Sequence, residues 1–296
     1  MRPVRPGARS SGPGGCEHSG AAPVVKLSLA RRLAAGAVAL TAAVGCGVAV
    51  HAGPAAAAYA LPPVNGKFDY QIGEPYTPPS GVTVVSRDRN ATPAPGIYNI
   101  CYVNAFQVQP DEVSWWQDNH DNLLLRDSDG EYVVDGDWDE ILLDLRTAAK
   151  RTAIAAIVNG WISGCAADGF KAVEPDNIDS YQRSDGLLTK ANAVAYLKLL
   201  APHAHAAGLA IGQKNTTELG TAGKAAGLDF AIAEECGRYN ECTDYTAVYG
   251  NNLIVIEYTS TAYTKACTAV GARVSVVRRD LDVTAPGSST YVYKAC

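Results

Sequence analysis

The sequence predicts an α/β fold, a (β/α)8 TIM barrel forming a single domain behind an N-terminal leader. Strand-like and helix-like segments alternate over roughly 230 residues, the pattern of a parallel sheet covered by helices. About eight of these segments read as strands, and the stretch is close to the roughly 250 residues typical of such a barrel. A doubly wound sheet would often carry a glycine-rich phosphate loop after its first strand. The chain has no G-x-G-x-x-G there and no G-x-x-x-x-G-K, so nucleotide binding has no support either.

The elements follow in order. After a proline-rich lead at 61–66, FDYQIG (68–73) reads as the first strand. GVTVVSRD (81–88) is short and β-branched, and GIYNICYVNAF (96–106) is strand-like again. Residues 139–165 begin as a strand or turn and continue as a long amphipathic helix. DGFKAVEPDNID (168–179) is a strand ending in a polar cluster. Residues 189–208 place apolar side chains at helical spacing and end in Gly208, a suitable C-cap. LAIGQKN (209–215) is a strand and 216–227 a weaker helix. Strands at 228–236, 251–259 and 272–280 follow, with a helix at 261–271 before the last of them.

Residues 1–60 read as an address. They combine six basic groups, an apolar stretch at 33–52 and a small-residue A-x-A site at Ala58–Ala60, the layout of a secretory signal peptide. Cleavage is expected after Ala60, with Ala52 as second choice. The barrel then spans 61–296, is secreted, and is expected to be a monomer without stable membrane association. A retained anchor is the alternative, but the stretch is alanine- and glycine-rich and weakly hydrophobic.

The composition supports a buried core, with 47% apolar and 19% charged residues. The leader holds six of the 25 basic groups and one of the 30 acids, which leaves residues 61–296 with a net charge of −10. Such an acidic body argues against nucleic acid as partner and suits a cationic or neutral ligand. Outside the leader stand six cysteines: Cys101, Cys165, Cys236, Cys242, Cys267 and Cys296. An even number in an exported protein favours disulfides, of which 15 pairings are possible. Cys236–Cys242 is the best local pair, Cys267–Cys296 would tie down the C-terminus, and Cys101–Cys165 remains. No clustered Cys/His spacing suggests zinc, and no metal or cofactor is expected.

Acids gather where strands end. Glu174, Asp176 and Asp179 close one strand, Lys214 and Asn215 the next, Glu234 and Glu235 the next, and Glu257 with Tyr258 another. Active sites of barrels lie at those ends, and strand interiors seldom tolerate unpaired charge. The four ends therefore suggest one shared polar site, although a lone acid after a strand, such as Asp179, also serves as a helix N-cap. No G-x-S-x-G or H-E-x-x-H occurs. Two carboxylates flanking a bond match glycoside hydrolysis. Aromatic residues, among them Tyr70, Tyr102, Trp115, Trp138, Tyr181 and Tyr258, offer faces for sugar rings.

The blocks CAADGFKAVEPDNIDSY (165–181), GLAIGQKN (208–215), DFAIAEEC-x5-C (229–242) and IVIEYT (254–259) resemble those of glycoside hydrolase family 114. FDYQIG, NICYVNAF and WDEILLDLR match its earlier blocks in order. The resemblance covers 66–280 and implies a secreted TIM-barrel enzyme similar to endo-α-1,4-polygalactosaminidases. It puts the family's catalytic pair on Asp176 and Glu234. It implies that Glu174, Tyr181, Lys214, Asn215, Glu257 and Tyr258 line the sugar subsites, with Asp69, Tyr70, Asp88 and Tyr102 as further contributors. Two positions depart from the family pattern. Glu174 stands where an Asp is usual, and Ala233 replaces an Asn beside Glu234. The alternatives are a carbohydrate-binding barrel without catalysis, or a metal-assisted hydrolase with Glu174, Asp176 and Asp179 as oxygen ligands.

Overall fold

A computed structural model describes residues 58–296; the basic and apolar segments of the leader lie outside them. Eight parallel strands form the body: β1 (Phe68–Gln71), β2 (Val84–Asp88), β3 (Tyr98–Asn104), then, after the short β4 (Val134–Asp135) and β5 (Glu140–Ile141), β6 (Ala172–Asp176), β7 (Ala210–Lys214), β8 (Phe230–Glu234), β9 (Leu253–Glu257) and β10 (Ser275–Arg279). The sheet runs β1-β2-β3-β6-β7-β8-β9-β10, and β11 (Tyr293–Ala295) adds an antiparallel edge on β10. The result is a nearly closed barrel. Where β10 meets β1 there is no ladder; Arg279 reaches Asp69 at 2.9 Å with both side chains buried.

The helices are α1 (Val113–His120), α2 (Ala148–Asp168), α3 (Lys190–Ala206), α4 (Thr221–Ala225), α5 (Cys236–Tyr239), α6 (Cys242–Tyr249) and α7 (Ser260–Val270). α2 starts later than the sequence pattern suggests, because Thr147 caps it by accepting from Lys150 N. The connections β1–β2 and β2–β3 carry no helix, and α5 and α6 fill a stretch where no helix was expected.

Strand alternation sorts the side chains into two layers. Phe68, Tyr70, Val84, Ile100, Ala172, Ala210, Phe230, Ile232, Ile254, Ile256 and Val277 fill the barrel. Val173, Ile211, Ala231, Val255 and Val276 pack outward with Ile154, Val158, Leu197 and Leu200 of the helices. Gly212 belongs to the inner set by phase, and a Cβ there would meet the Phe230 ring at 2.9 Å, so the barrel floor admits no side chain at that point.

The six cysteines form Cys101–Cys165, Cys236–Cys242 and Cys267–Cys296. The first closes a loop of 64 residues and ties β3 to α2. In the chain-entropy picture a loop of that length is worth about 4 kcal/mol. The start of the described chain is anchored as well. Tyr59 stacks on His205 with ring centroids 4.4 Å apart, its hydroxyl donates to Asp229, and Tyr98 Oη donates to the Ala60 carbonyl at 2.6 Å.

Candidate active site

The inward positions at the C-terminal strand ends bring the candidate polar side chains together. On β6, Ala172 packs inside the barrel, so Glu174 and Asp176 follow inward. On β7 the same phase brings Lys214 in, on β8 it brings Glu234, and beyond β9 it brings Tyr258. Each of the three strand ends β6, β7 and β8 is followed by a residue in the left-handed region: Asn177 at φ 63°, Asn215 at φ 48° and Glu235 at φ 58°. The chain thus turns away sharply once its last inward side chain is placed. Asparagine tolerates that conformation; Glu235 holds it at a cost of order 1 kcal/mol.

Lys214 is the hub. It is buried, and its Nζ lies 3.1 Å from Glu174 Oε1, Asp176 Oδ1 and Glu234 Oε2 alike. It also donates to Tyr70 Oη at 3.0 Å. Burial alone would lower the ammonium's pKa, but Asp176, Glu234, Tyr70 and Glu174 together hold it well above the ordinary lysine range. Because both carboxylates touch one nitrogen, Asp176 Oδ1 and Glu234 Oε2 can be no further apart than twice 3.1 Å.

Glu174 sits beneath this pair, fully buried. It accepts from Tyr70 Oη at 3.0 Å and Ser86 Oγ at 2.5 Å. Burial raises its pKa against the pull of Lys214. Asp176 Oδ1 also accepts from Asn177 N at 2.7 Å. Glu234 accepts from Asn215 Nδ2 at 3.2 Å and from Tyr258 Oη, and its own N–H donates to Asn215 Oδ1 at 2.8 Å. Asn215 therefore supplies an amide beside Glu234 where Ala233 cannot.

Above these groups opens a cleft of about 850 Å³. Tyr70, Tyr102 and Tyr258 wall it, and Trp138 and Tyr239 stand exposed at its rim. Its acids outnumber its cations. Asp176, Asp179, Glu140, Glu218, Glu234, Glu235, Glu241 and Asp282 face Lys214 and Arg183, both already paired with carboxylates.

The structure brings Asp176, Glu234, Lys214, Asn215, Tyr70, Tyr102 and Tyr258 together in the cleft, with Glu174 directly below. It separates four other candidates. Glu257 follows Leu253 and Val255 outward, so its carboxylate accepts from Gly237 N at 2.6 Å behind the barrel wall. Burial raises it to about 7. Asp69 turns to Arg279 at the barrel seam. Asp88 sits one residue back from the cleft, accepting from Gln109 Nε2 at 3.3 Å. Tyr181 packs against the outer core. The proposed oxygen ligands Glu174, Asp176 and Asp179 take their positive partners from Lys214 and Arg183. The one His/Cys/Asp/Glu cluster among the described residues is Cys236, Cys242 and Glu257, whose sulfurs are spent in a disulfide.

Glu140 was not anticipated. It lines the cleft beside Asp176, and burial with Asp176 and Asp135 lifts its carboxyl to about 7 against the hydrogen bond from Asn104. It lies on β5, two residues long, in a stretch of two-residue strands and isolated bridges with no period to read. Its place two residues after Trp138 in DWDEI was the one available signal.

The model of glycoside-hydrolase family GH114 matches residues 49–296. The chain belongs to that family. It is a glycoside hydrolase, on the fold the strands describe. Among solved structures, Ega3 of Aspergillus fumigatus, crystallised in complex with galactosamine, superposes with a TM-score of 0.64 at 23% identity, over 82% of this chain and all of that one. A variant of the glycoside hydrolase domain of PelA from Pseudomonas aeruginosa follows at TM-score 0.53 and 14% identity, over 75% of this chain and 97% of that one. No curated protein sequence matches the chain significantly. Among the described residues, no helix is long and apolar enough to cross a membrane.

Proposed function

We propose that this GH114 chain is an exported endo-glycosidase that hydrolyses α-1,4 linkages in galactosamine-containing polysaccharide, with Asp176 and Glu234 as the acting carboxylates. The observation that carries the proposal is their meeting on Lys214 at the floor of a cleft rich in acids. Amino sugars with free amines are cationic near neutral pH, and an acidic cleft attracts them. Ega3 holds galactosamine in its crystal, which supports the same class of ligand here.

Retention is the scheme that fits a shared ammonium: two carboxylate oxygens no further apart than twice 3.1 Å are compatible with the roughly 5–5.5 Å separation of retaining pairs. Asp176 is the nucleophile in this scheme. Its Oδ1 is pinned by Asn177 N and Lys214, which leaves Oδ2 to attack the anomeric carbon. Glu234 is the more exposed of the two, 22% against 15%, and gives its proton to the departing glycosidic oxygen. A covalent glycosyl–Asp176 ester forms. Glu234 then takes a proton from water, which attacks the same carbon and frees Asp176. Trp138 and Tyr239 at the rim offer stacking faces to flanking sugars.

The leader at 1–60 serves export in this proposal. The contacts of Tyr59 and Ala60 with the barrel support a cut upstream of them, such as after Ala52. The test is a panel of fully and partially deacetylated α-1,4-galactosamine polymer, chitosan and a neutral α-glucan, with mass analysis of the products. Short galactosamine oligomers are the expected result. Saturable binding with no new reducing ends would refute it in favour of a binding barrel.

A further inference from the structure

We propose that Glu140 is the residue that selects a free amino group on the sugar bound beside Asp176. The assignment rests on the proposed function and names the group that would recognise its substrate. Glu140 Oε2 accepts from Asn104 Nδ2 at 2.7 Å and from Asn177 Nδ2 at 3.3 Å. Asn177 is itself fixed, donating to Asn104 Oδ1 at 3.0 Å and accepting from Arg183. These amides lock the carboxylate in one orientation but bring no full positive charge. Oε1 has no protein partner among the described residues, and the side chain lines the cleft.

The charges around Glu140 do not satisfy it. Asp176 on β6 and Asp135 on β4 are like charges. Arg183, the nearby cation, is committed to Asp135 and Asp179. The other acids deep in the cleft have partners, Asp176 and Glu234 on Lys214 and Asp179 on Arg183. A half-buried carboxylate without a cation is costly to keep ionised, and this one is held near pKa 7 by its surroundings. A sugar ammonium donating to Oε1 would supply the missing charge. An N-acetyl group would bring a neutral amide and a carbonyl oxygen toward a carboxylate instead, so it gains nothing there.

Glu140→Gln keeps the shape and the hydrogen bonds to Asn104 and Asn177 while removing the charge. A hydrogen bond to a charged group is worth about 1.5–3 kcal/mol, or roughly 10- to 100-fold in binding. The measurement is kcat/KM on fully deacetylated and on N-acetylated galactosamine polymer. In the variant the value on the free-amine polymer is expected to fall by at least about tenfold, mainly through KM, with a clearly smaller loss on the acetylated polymer, so that the ratio between the two falls. A second measurement needs no variant. The wild-type preference for free amine is expected to shrink as pH falls from 7.5 to 5.5 through the Glu140 titration. Equal losses on both polymers, no loss on either, or a preference flat with pH would overturn the assignment. A wild-type chain that cleaves neither polymer refutes the proposed function itself, whereas cleavage with a preference that Glu140→Gln leaves intact refutes the role of Glu140 alone.

Discussion

Lys214→Met removes the one cation shared by three carboxylates and keeps the length of the aliphatic stem. Each of those carboxylates lies 3.1 Å from the ammonium. At an effective dielectric constant of ~20 each contact is worth about 5 kcal/mol of gross attraction. Desolvation of a buried lysine and of Glu174 cancels most of that sum, and breaking a buried ion pair typically costs a net of about 3–5 kcal/mol. The loss depends on pH with a definite sign. Burial already raises the folded-state pKa of Glu174 against the pull of Lys214, and without that pull it climbs further above the unfolded value. Groups raised in this way favour the fold while protonated, and that favour disappears as pH climbs through the folded pKa. The variant is therefore expected to be about 3–5 kcal/mol less stable than wild type at pH 8 and clearly less impaired at pH 5, read from urea unfolding at both. Loss of less than about 1 kcal/mol at pH 8, or a loss that grows toward pH 5, would refute the electrostatic role assigned to Lys214.

Two further outcomes can be checked directly. The folded-state pKa of Glu257 is raised to about 7, so its contribution to stability is complete below the unfolded value near 4.5 and disappears as pH rises through 7. Glu257→Gln keeps the acceptor for Gly237 N–H, and urea unfolding at pH 5 and pH 8 should show a pH dependence flatter by about 1–3 kcal/mol; parallel wild-type and variant profiles would contradict the burial of an ionisable group there. Retention is visible in the product. Proton NMR of early hydrolysis should show the α-anomer first, with the β-anomer appearing only by mutarotation, and a first-formed β-anomer would exclude Asp176 as nucleophile.

The barrel was legible because its strands are short, β-branched and regularly interrupted by helical stretches. The cleft was legible where its polar side chains sit at the end of a continuous strand. Asp176, Lys214 and Glu234 each close a strand that begins apolar, and the period of two that buries Ala172, Ala210 and Ile232 also aims these side chains inward. The same period explains Glu257. It stands at a strand end like the others, yet one residue out of phase, and only Tyr258 reaches the cleft. Asp69 enters the candidate set with the family resemblance; its reason for being in a strand is Arg279, 210 positions away in the chain, which fills the seam where the barrel has no ladder. Glu140 lies in a region of two-residue strands and bridges held by Asp135, Arg183 and Gln107. Long-range polar contacts of that kind leave no local pattern in a sequence.

The most direct measurement compares Asp176→Asn and Glu234→Gln with wild type on deacetylated galactosamine polymer, with thermal unfolding recorded alongside. Both substitutions preserve size and hydrogen-bonding atoms while removing the ionisable group. If this pair performs the hydrolysis, each variant should unfold cooperatively like wild type and lose about a thousandfold or more in rate. Undiminished release of reducing ends from a folded variant at both positions would mean that the bond is cut elsewhere.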